Sequence, residues 1–214
     1  AGWLRDASGA EISWLRPTFG AWFDSLMERN AQLGGWLRGE RPRAFNLGFF
    51  FNPQGFLTAV KQEVVRVNKA PRAGQKGAAE WTMDAVDFQV TVLSDKQQRE
   101  FDAGKEFSTD NGGVYVVGLQ LEGARWTKDG LQDSLDKRIG AALNVLHVTA
   151  VSTAAKKGGE LDKRDSFYSC PVYKYPCRND RYLIVRVPLA FMPTAGDANK
   201  WRLRGVAIVC ANND

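Results

Sequence analysis

From Trp14 to about Lys69 apolar residues recur at helical spacing, and beyond Trp81 they alternate with polar ones, so the chain reads as a helical part followed by a strand-rich part. Phe19, Trp22, Phe23, Leu26, Leu33, Trp36 and Leu37 share one stripe of a first predicted helix, with Thr18 behind Pro17 as its N-cap. Gly34-Gly35 is an expected early stop for that helix, because each interior Gly costs about 1 kcal/mol relative to Ala. A second helix begins at Asn52-Pro53, where Asn suits the cap and Pro suits a first turn whose N–H has no helical partner. Phe56, Leu57, Val60, Val64 and Val67 line one of its faces, and Lys61, Gln62, Arg66 and Lys69 another.

Directly before this cap stand Phe49, Phe50 and Phe51, a triplet that no period renders amphipathic. Phe51 is expected to fold back on Phe56 or Leu57 as a hydrophobic staple, which leaves Phe49 and Phe50 in need of cover. Residues 70–80, rich in Gly, Ala and Pro, read as a flexible loop. Six strand candidates follow at 86–92, 114–121, 144–151, 170–175, 181–189 and 204–211, separated by turn signals such as Asn111-Gly112-Gly113. Short strands without long helices between them predict an antiparallel barrel or sandwich. The expected class is therefore α+β, with a helical subdomain and its trailing loop over 1–80 and a barrel-like subdomain over 81–214.

Composition narrows this picture. With 214 residues, 44% of them apolar, the chain has material for a sizeable core. No apolar run approaches the ~20 residues of a membrane span, and the first residues lack the basic start and apolar centre of a signal peptide. An intracellular soluble chain without a membrane partner is expected. Three cysteines, Cys170, Cys177 and Cys210, form neither a disulfide framework nor a zinc set. The net charge of +5 resides in residues 1–77, which hold 11 Lys and Arg against 6 Asp and Glu. No dense basic stripe accompanies it, so a solvated basic face is favoured over nucleic-acid binding.

Candidate chemistry is sparse. Neither G-x-x-x-x-G-K-[ST] nor a G-x-G-x-x-G after a strand occurs, so no nucleotide cofactor site is expected. His147 is the only histidine and lies mid-strand, which favours a structural role over catalysis. Glu122, Asp84 and Asp87 have no visible acid/base partner. What stands out is apolar surplus: seven Trp, the Phe triplet, and a strand over 206–210 that is apolar on both faces and so is either central in a sheet or covered by another module.

The blocks FFFNPQGFLTAVKQEVVR, GGVYVVGLQLEGARW, FYSCPVYKYP and WRLRGVAIVCANND, taken in order, resemble the C-terminal domain of a dynein heavy chain from about Pro17 to Asp214. As a set they are highly specific. Gly123–Trp126 and Cys170–Lys174 are similar to axonemal heavy chains, and Asn52–Ala59 most resembles the outer-arm type. Residues 70–80 and 156–165 depart from the pattern, so no role is carried over to them. Ala1 is expected to be an artificial start and VCANND a natural end.

The resemblance implies an end piece of a motor without a nucleotide site of its own, with a helical part and an incomplete barrel of about six strands, lying on a ring of AAA+ modules within the same heavy chain. Other dynein subunits are further partners it allows, and the axoneme of a cilium or flagellum is the implied location. Expected docking residues are Trp22, Trp36, Arg38, Arg41, Phe49 and Phe50. Asn52, Pro53, Gly123, Arg125, Trp126, Cys170, Pro171, Arg204 and Gly205 are expected to serve the fold. The competing reading is a barrel that stacks a glycan or single-stranded nucleic acid on Trp81, Trp126 and Trp201, and it requires those three to line one exposed groove.

Overall fold

A computed structural model describes residues 18–69, 81–109, 112–127, 129–134, 141–153 and 167–210. The loop expected over 70–80, the segment 156–165 and both ends of the sequence lie outside the described residues. By contact the protein forms two compact units, Ala1–Pro42 with Asn212–Asp214, and Arg43–Ala211.

In the first unit, helix α1 (Phe19–Leu37) is capped by Thr18, whose hydroxyl accepts from the Ala21 N–H at 3.2 Å. Gly34-Gly35 does not stop it, contrary to expectation. The helix continues to Leu37, and the carbonyls of Gly34 and Gly35 accept from the amides of Arg38 and Glu40 in a closing turn that Gly39 completes with a φ of 92°.

The second unit packs helices against two sheets. Its helices are α2 (Pro53–Lys69), α3 (Asp95–Asp102) and α4 (Ala198–Leu203). Strands β1 (Phe45–Asn46), β2 (Val86–Val92), β3 (Val114–Val117) and β8 (Leu146–Ser152) make one sheet in the order β1-β3-β8-β2. Strands β4 (Leu119–Glu122), β7 (Ala141–Ala142), β9 (Phe167–Tyr173), β10 (Leu183–Ala190) and β11 (Ala207–Cys210) make the other, in the order β10-β9-β11-β4-β7. A separate hairpin joins β5 (Arg125–Thr127) to β6 (Gly130–Gln132).

The sheets stay open, so the α+β class and the incomplete barrel stand, with two refinements. Eleven strands occur among the described residues where six were expected, because runs that read as single strands bend and the shortest strands have no period to detect. Two pairings, β1 with β3 and β9 with β11, are parallel within an otherwise antiparallel framework. The run 114–121 shows how a strand changes sheet. Gly118 sits at a φ of 71°, and a Cβ there would meet the Asn46 side chain at 2.6 Å, so the backbone turns a corner that leaves β3 in one sheet and β4 in the other.

Between the sheets, Val90, Leu146 and Val148 face Leu119, Val172, Val187 and Ile208, with Leu57 of α2 alongside, around a void of only about 20 Å³. That is room for about one water molecule, and the wholly apolar lining gives a water no partner. The strand apolar on both faces is β11, and it is central: β9 flanks one side and β4 the other. Helix α2 buries Phe56, Leu57, Val60 and Val64, and Val64 packs with Val86 and Ala150 of the first sheet. On the outer face of that sheet, α3 and the segment after it cover Tyr115 with Phe101 and Phe107, whose ring centroids lie 6.0 Å from it. Helix α3 begins in a reciprocal cap between Ser94 and Gln97.

Candidate functional site

The phenylalanine triplet resolves by sharing its three rings among different surroundings. A short 3-10 turn over Leu47–Phe49, capped by Asn46, points Phe50 inward, where it is 7% exposed and stacks on Phe56 at 4.2 Å with Phe45 beside it at 6.1 Å. The staple is thus made by Phe50, and Phe51 is 82% exposed. The reason is the cap itself. The Asn52 side chain accepts from the Gly55 N–H at 2.8 Å, and this fixes the residue before it outward while the Phe51 carbonyl accepts from the Lys174 ammonium at 3.1 Å. Phe49 is half-buried.

Of the residues expected to dock, Phe50 is therefore spent inside the fold. Trp22, Trp36, Arg38 and Arg41 belong to the first unit, and Phe49 and Phe50 to the second. Trp22 is half-buried and stacks on Phe19 at 5.6 Å, whereas Trp36 is exposed. Arg38 meets Glu40 at 3.6 Å with both side chains mostly in solvent, and Arg41 is exposed. The broader feature of α1 went unforeseen. Phe19, Phe23, Leu26, Met27 and Leu37 are all exposed, Phe19 at 78% and Leu37 at 86%. Phe19, Phe23, Leu26 and Leu37 fall on one face, with Asn30 interrupting it.

Of the residues expected to serve the fold, Gly123, Arg204 and Gly205 come together. Gly123, at a φ of 81°, ends β4, and its carbonyl accepts from Arg204 Nε at 3.1 Å. Arg204 also donates to the Ser134 carbonyl at 2.9 Å and meets Asp133 at 2.8 Å. Gly205, at a φ of 68°, offers its carbonyl to Arg178 at 2.6 Å. The same Arg178 guanidinium pairs with Glu122. Two arginines thus latch the turn after β4 to the turn before β11. Sequence reasoning missed Arg178 and saw no partner for Glu122; Arg178 is the non-glycine residue among those described with a positive φ, 50°. Pro53 is buried at the start of α2, and Pro171 lies opposite Arg186 in the β9–β10 pairing. Arg125 does not join this framework, since its side chain is exposed on the hairpin.

Ionisable groups are quiet. Burial pushes the Cys170 and Cys210 thiols up to about 12, out of the nucleophilic range, while Cys177 is exposed. Burial likewise lifts the Tyr168 hydroxyl to about 12, and that hydroxyl donates to the Val206 carbonyl at 2.7 Å. His147 is held below its ordinary value by desolvation and stacks near Tyr115 at 4.8 Å, as a neutral ring in a packed layer. Among the described residues no cluster of His, Cys, Asp or Glu suits a metal ion, and no helix is long and apolar enough to cross a membrane.

The three tryptophans do not form one groove. Trp201 is fully buried, and Trp81 packs against the Val64, Val86 and Ala150 cluster. Trp126 alone of the three lines open space, standing between cavities of about 690 and 630 Å³. The stacking barrel loses its geometric basis.

The family model for the C-terminal domain of dynein heavy chains matches residues 8–210. Human dynein axonemal heavy chain 8 is 37% identical over 202 residues, which is 93% of this protein. The flagellar outer-arm dynein gamma chain of Chlamydomonas reinhardtii is 36% identical over 201 residues, and the ciliary dynein beta chain of Heliocidaris crassispina is 30% identical over 208, covering 93% and 92% of this protein. The sequence spans about 4% of the length of each of these relatives.

Proposed function

Because this protein belongs to the family of C-terminal domains of dynein heavy chains, we propose that it docks on the AAA+ ring of its own heavy chain and regulates how ATP hydrolysis is coupled to microtubule-based movement in a cilium or flagellum. In this reading it does no chemistry itself. The parent heavy chain is the ATPase and motor, the axoneme is its location, and other dynein subunits are secondary partners.

The observation that carries the reading is the apolar face that α1 leaves in solvent. Four large side chains on one helix face cost free energy when hydrated, at roughly 25 cal/mol for each Å² left exposed. A helix of this kind implies a partner, and the relatives supply one by their length. Trp36, Arg38 and Arg41 extend the same unit's surface with an aromatic ring and cations, suited to a partner with acidic residues around an apolar patch. Phe49 and the exposed Phe51 offer a second, smaller contact from the other unit.

Regulation follows from differential docking. If the ring alternates between states that fit the domain unequally, each 1.4 kcal/mol of difference shifts their balance about tenfold. The test is ATP turnover and microtubule gliding by the parent motor, intact, with residues 18–214 deleted, and with Phe19, Phe23 and Leu37 all changed to Ser. Both altered motors are expected to change coupling or velocity in the same direction. An unaltered deletion motor would sink the proposal.

A further inference from the structure

The two sheets of the second unit approach one another along β2 and β10, each the terminal strand of its own sheet. Their open edges differ. Strand β10 carries Pro188 and a register shift between Leu183 and Val185, two devices that blunt an edge against further pairing. Strand β2 runs seven residues, Val86–Val92, without Pro or Gly, and among the described residues it pairs with β8 alone. Where β10 does not lie against it, an unblunted edge presents backbone donors and acceptors for a further extended segment to satisfy.

That edge is also where open space collects. The two cavities beside Trp126 share Val92, Trp126, Thr127 and Asp129 in their walls, so they adjoin and are taken together as one groove. Alongside Phe88 to Val92 the groove is apolar, walled by Phe167, Phe191 and Met192. Past Val92 it turns polar, its described lining carrying the carboxylates of Asp95 and Asp129 and the guanidinium of Arg125. An occupant matched to this wall has a backbone to pair, apolar side chains at one end and a basic side chain at the other. A small molecule meets the second and third requirements but not the first.

We propose that the groove takes an extended peptide segment from elsewhere in the parent heavy chain, which adds as a strand to the open edge of β2, seats apolar side chains against Phe88 and Phe191, and directs a basic side chain toward Asp95 and Asp129. Strand addition of this kind draws affinity from main-chain hydrogen bonds and specificity from alternate side-chain pockets. The source of the strand rests on the family reading: this protein spans about 4% of its relatives, and a tethered segment reaches the groove at an effective concentration on the order of millimolar.

Short overlapping peptides tiled across the rest of the parent heavy chain, measured for binding to this 214-residue protein, test the idea. At least one peptide is expected to bind and to slow amide exchange at β2. Its alternately N-methylated form, its Lys or Arg to Glu form, and the Trp126→Ala variant of the protein are each expected to weaken binding at least about tenfold, a change of 1.4 kcal/mol or more. Asp129→Lys, at an exposed turn, is the second variant and is expected to reverse the preference for basic over acidic peptides. No binder, protection elsewhere than β2, or full affinity after N-methylation would each overturn the proposal. A motor that loses coupling on deletion of the domain while no tiled peptide binds would keep the docking function and remove the strand site.

Discussion

Helices α1 and α2 have almost the same length, both open on a capping side chain, and both carry an apolar stripe, yet one hides its stripe and the other displays it. In α2, Phe56, Leu57, Val60 and Val64 are buried against the sheets. In α1 the one buried residue is Ser25, while Phe19, Phe23, Leu26 and Leu37 remain exposed. Periodicity therefore reports that a helix has an apolar face without reporting whether that face is buried. The two helices thus differ in kind: α2 is part of a core, and α1 keeps its apolar side chains in solvent.

The sharpest way to break this contrast is truncation on each helix. Phe56→Ala is expected to cost about 3–5 kcal/mol of stability, since it empties a site shared with Phe45 and Phe50. Phe19→Ala and Leu37→Ala are expected to stay within about 0.5 kcal/mol, as surface substitutions do. Urea denaturation of the three variants measures both, and a large loss from Phe19→Ala would mean that α1 is held within the domain after all.

The arginine latch gives the next largest effect. Arg178→Ala removes its bonds to Glu122 and to the Gly205 carbonyl, for an expected loss of about 1–3 kcal/mol. Arg178→Gly is expected to lose less, because glycine relieves a left-handed backbone that costs roughly 1 kcal/mol or more in other residues. Equal losses in thermal denaturation would show that the backbone at this turn is not strained.

Caps sharpen the same contrast on a smaller scale. Asn52→Ala is expected to lower global stability by about 1 kcal/mol, because α2 is part of the cooperative core. Thr18→Ala removes an equivalent bond, yet is expected to fray α1 without moving the denaturation midpoint, with faster amide exchange over its first turn as the sign.

Much of the second unit is legible in the sequence. Both caps, the whole of β2, and the cores of β8, β10 and β11 follow from turn residues and period alone. Helix α3 was equally legible in principle, since Ser94 and Gln97 spell a capping box, but its polar composition hides it beneath a hydrophobic scan. Strands of two or three residues such as β1 and β7 carry no period, and their existence depends on partners remote in sequence. The candidate surfaces were harder. Three adjacent phenylalanines look alike on paper, and only the geometry of the Asn46 and Asn52 caps decides that Phe50 turns inward and Phe51 outward. Charge partners such as Glu122 and Arg178 lie 56 positions apart and leave no local trace.

The last effect is chemical and is confined to alkaline pH. At pH 8 Cys177 is expected to react with a thiol reagent in the folded protein, and Cys170 and Cys210 only after unfolding. Because burial raises both buried thiols from an ordinary value of 9.0 to about 12, the folded state holds protons that the unfolded state has released. Their contribution is complete below pH 9 and declines as pH rises toward 12, so stability falls in that window and not below it. Cys170→Ala with Cys210→Ala should make this part of the pH profile less steep, leaving the fall above pH 10 that Tyr168 contributes.

Strand β11 stands between β9 and β4, although it follows both in sequence and is separated from β4 by more than eighty positions. As the polypeptide leaves the ribosome, β4 and the β9–β10 pair emerge first with nothing between them, and each keeps a bare edge until the middle strand arrives. The centre of this sheet depends on pairings between strands remote in sequence, which slow its assembly. A chain truncated before residue 207 would carry an assembly hazard, with two half-sheets offering their edges to any extended neighbour.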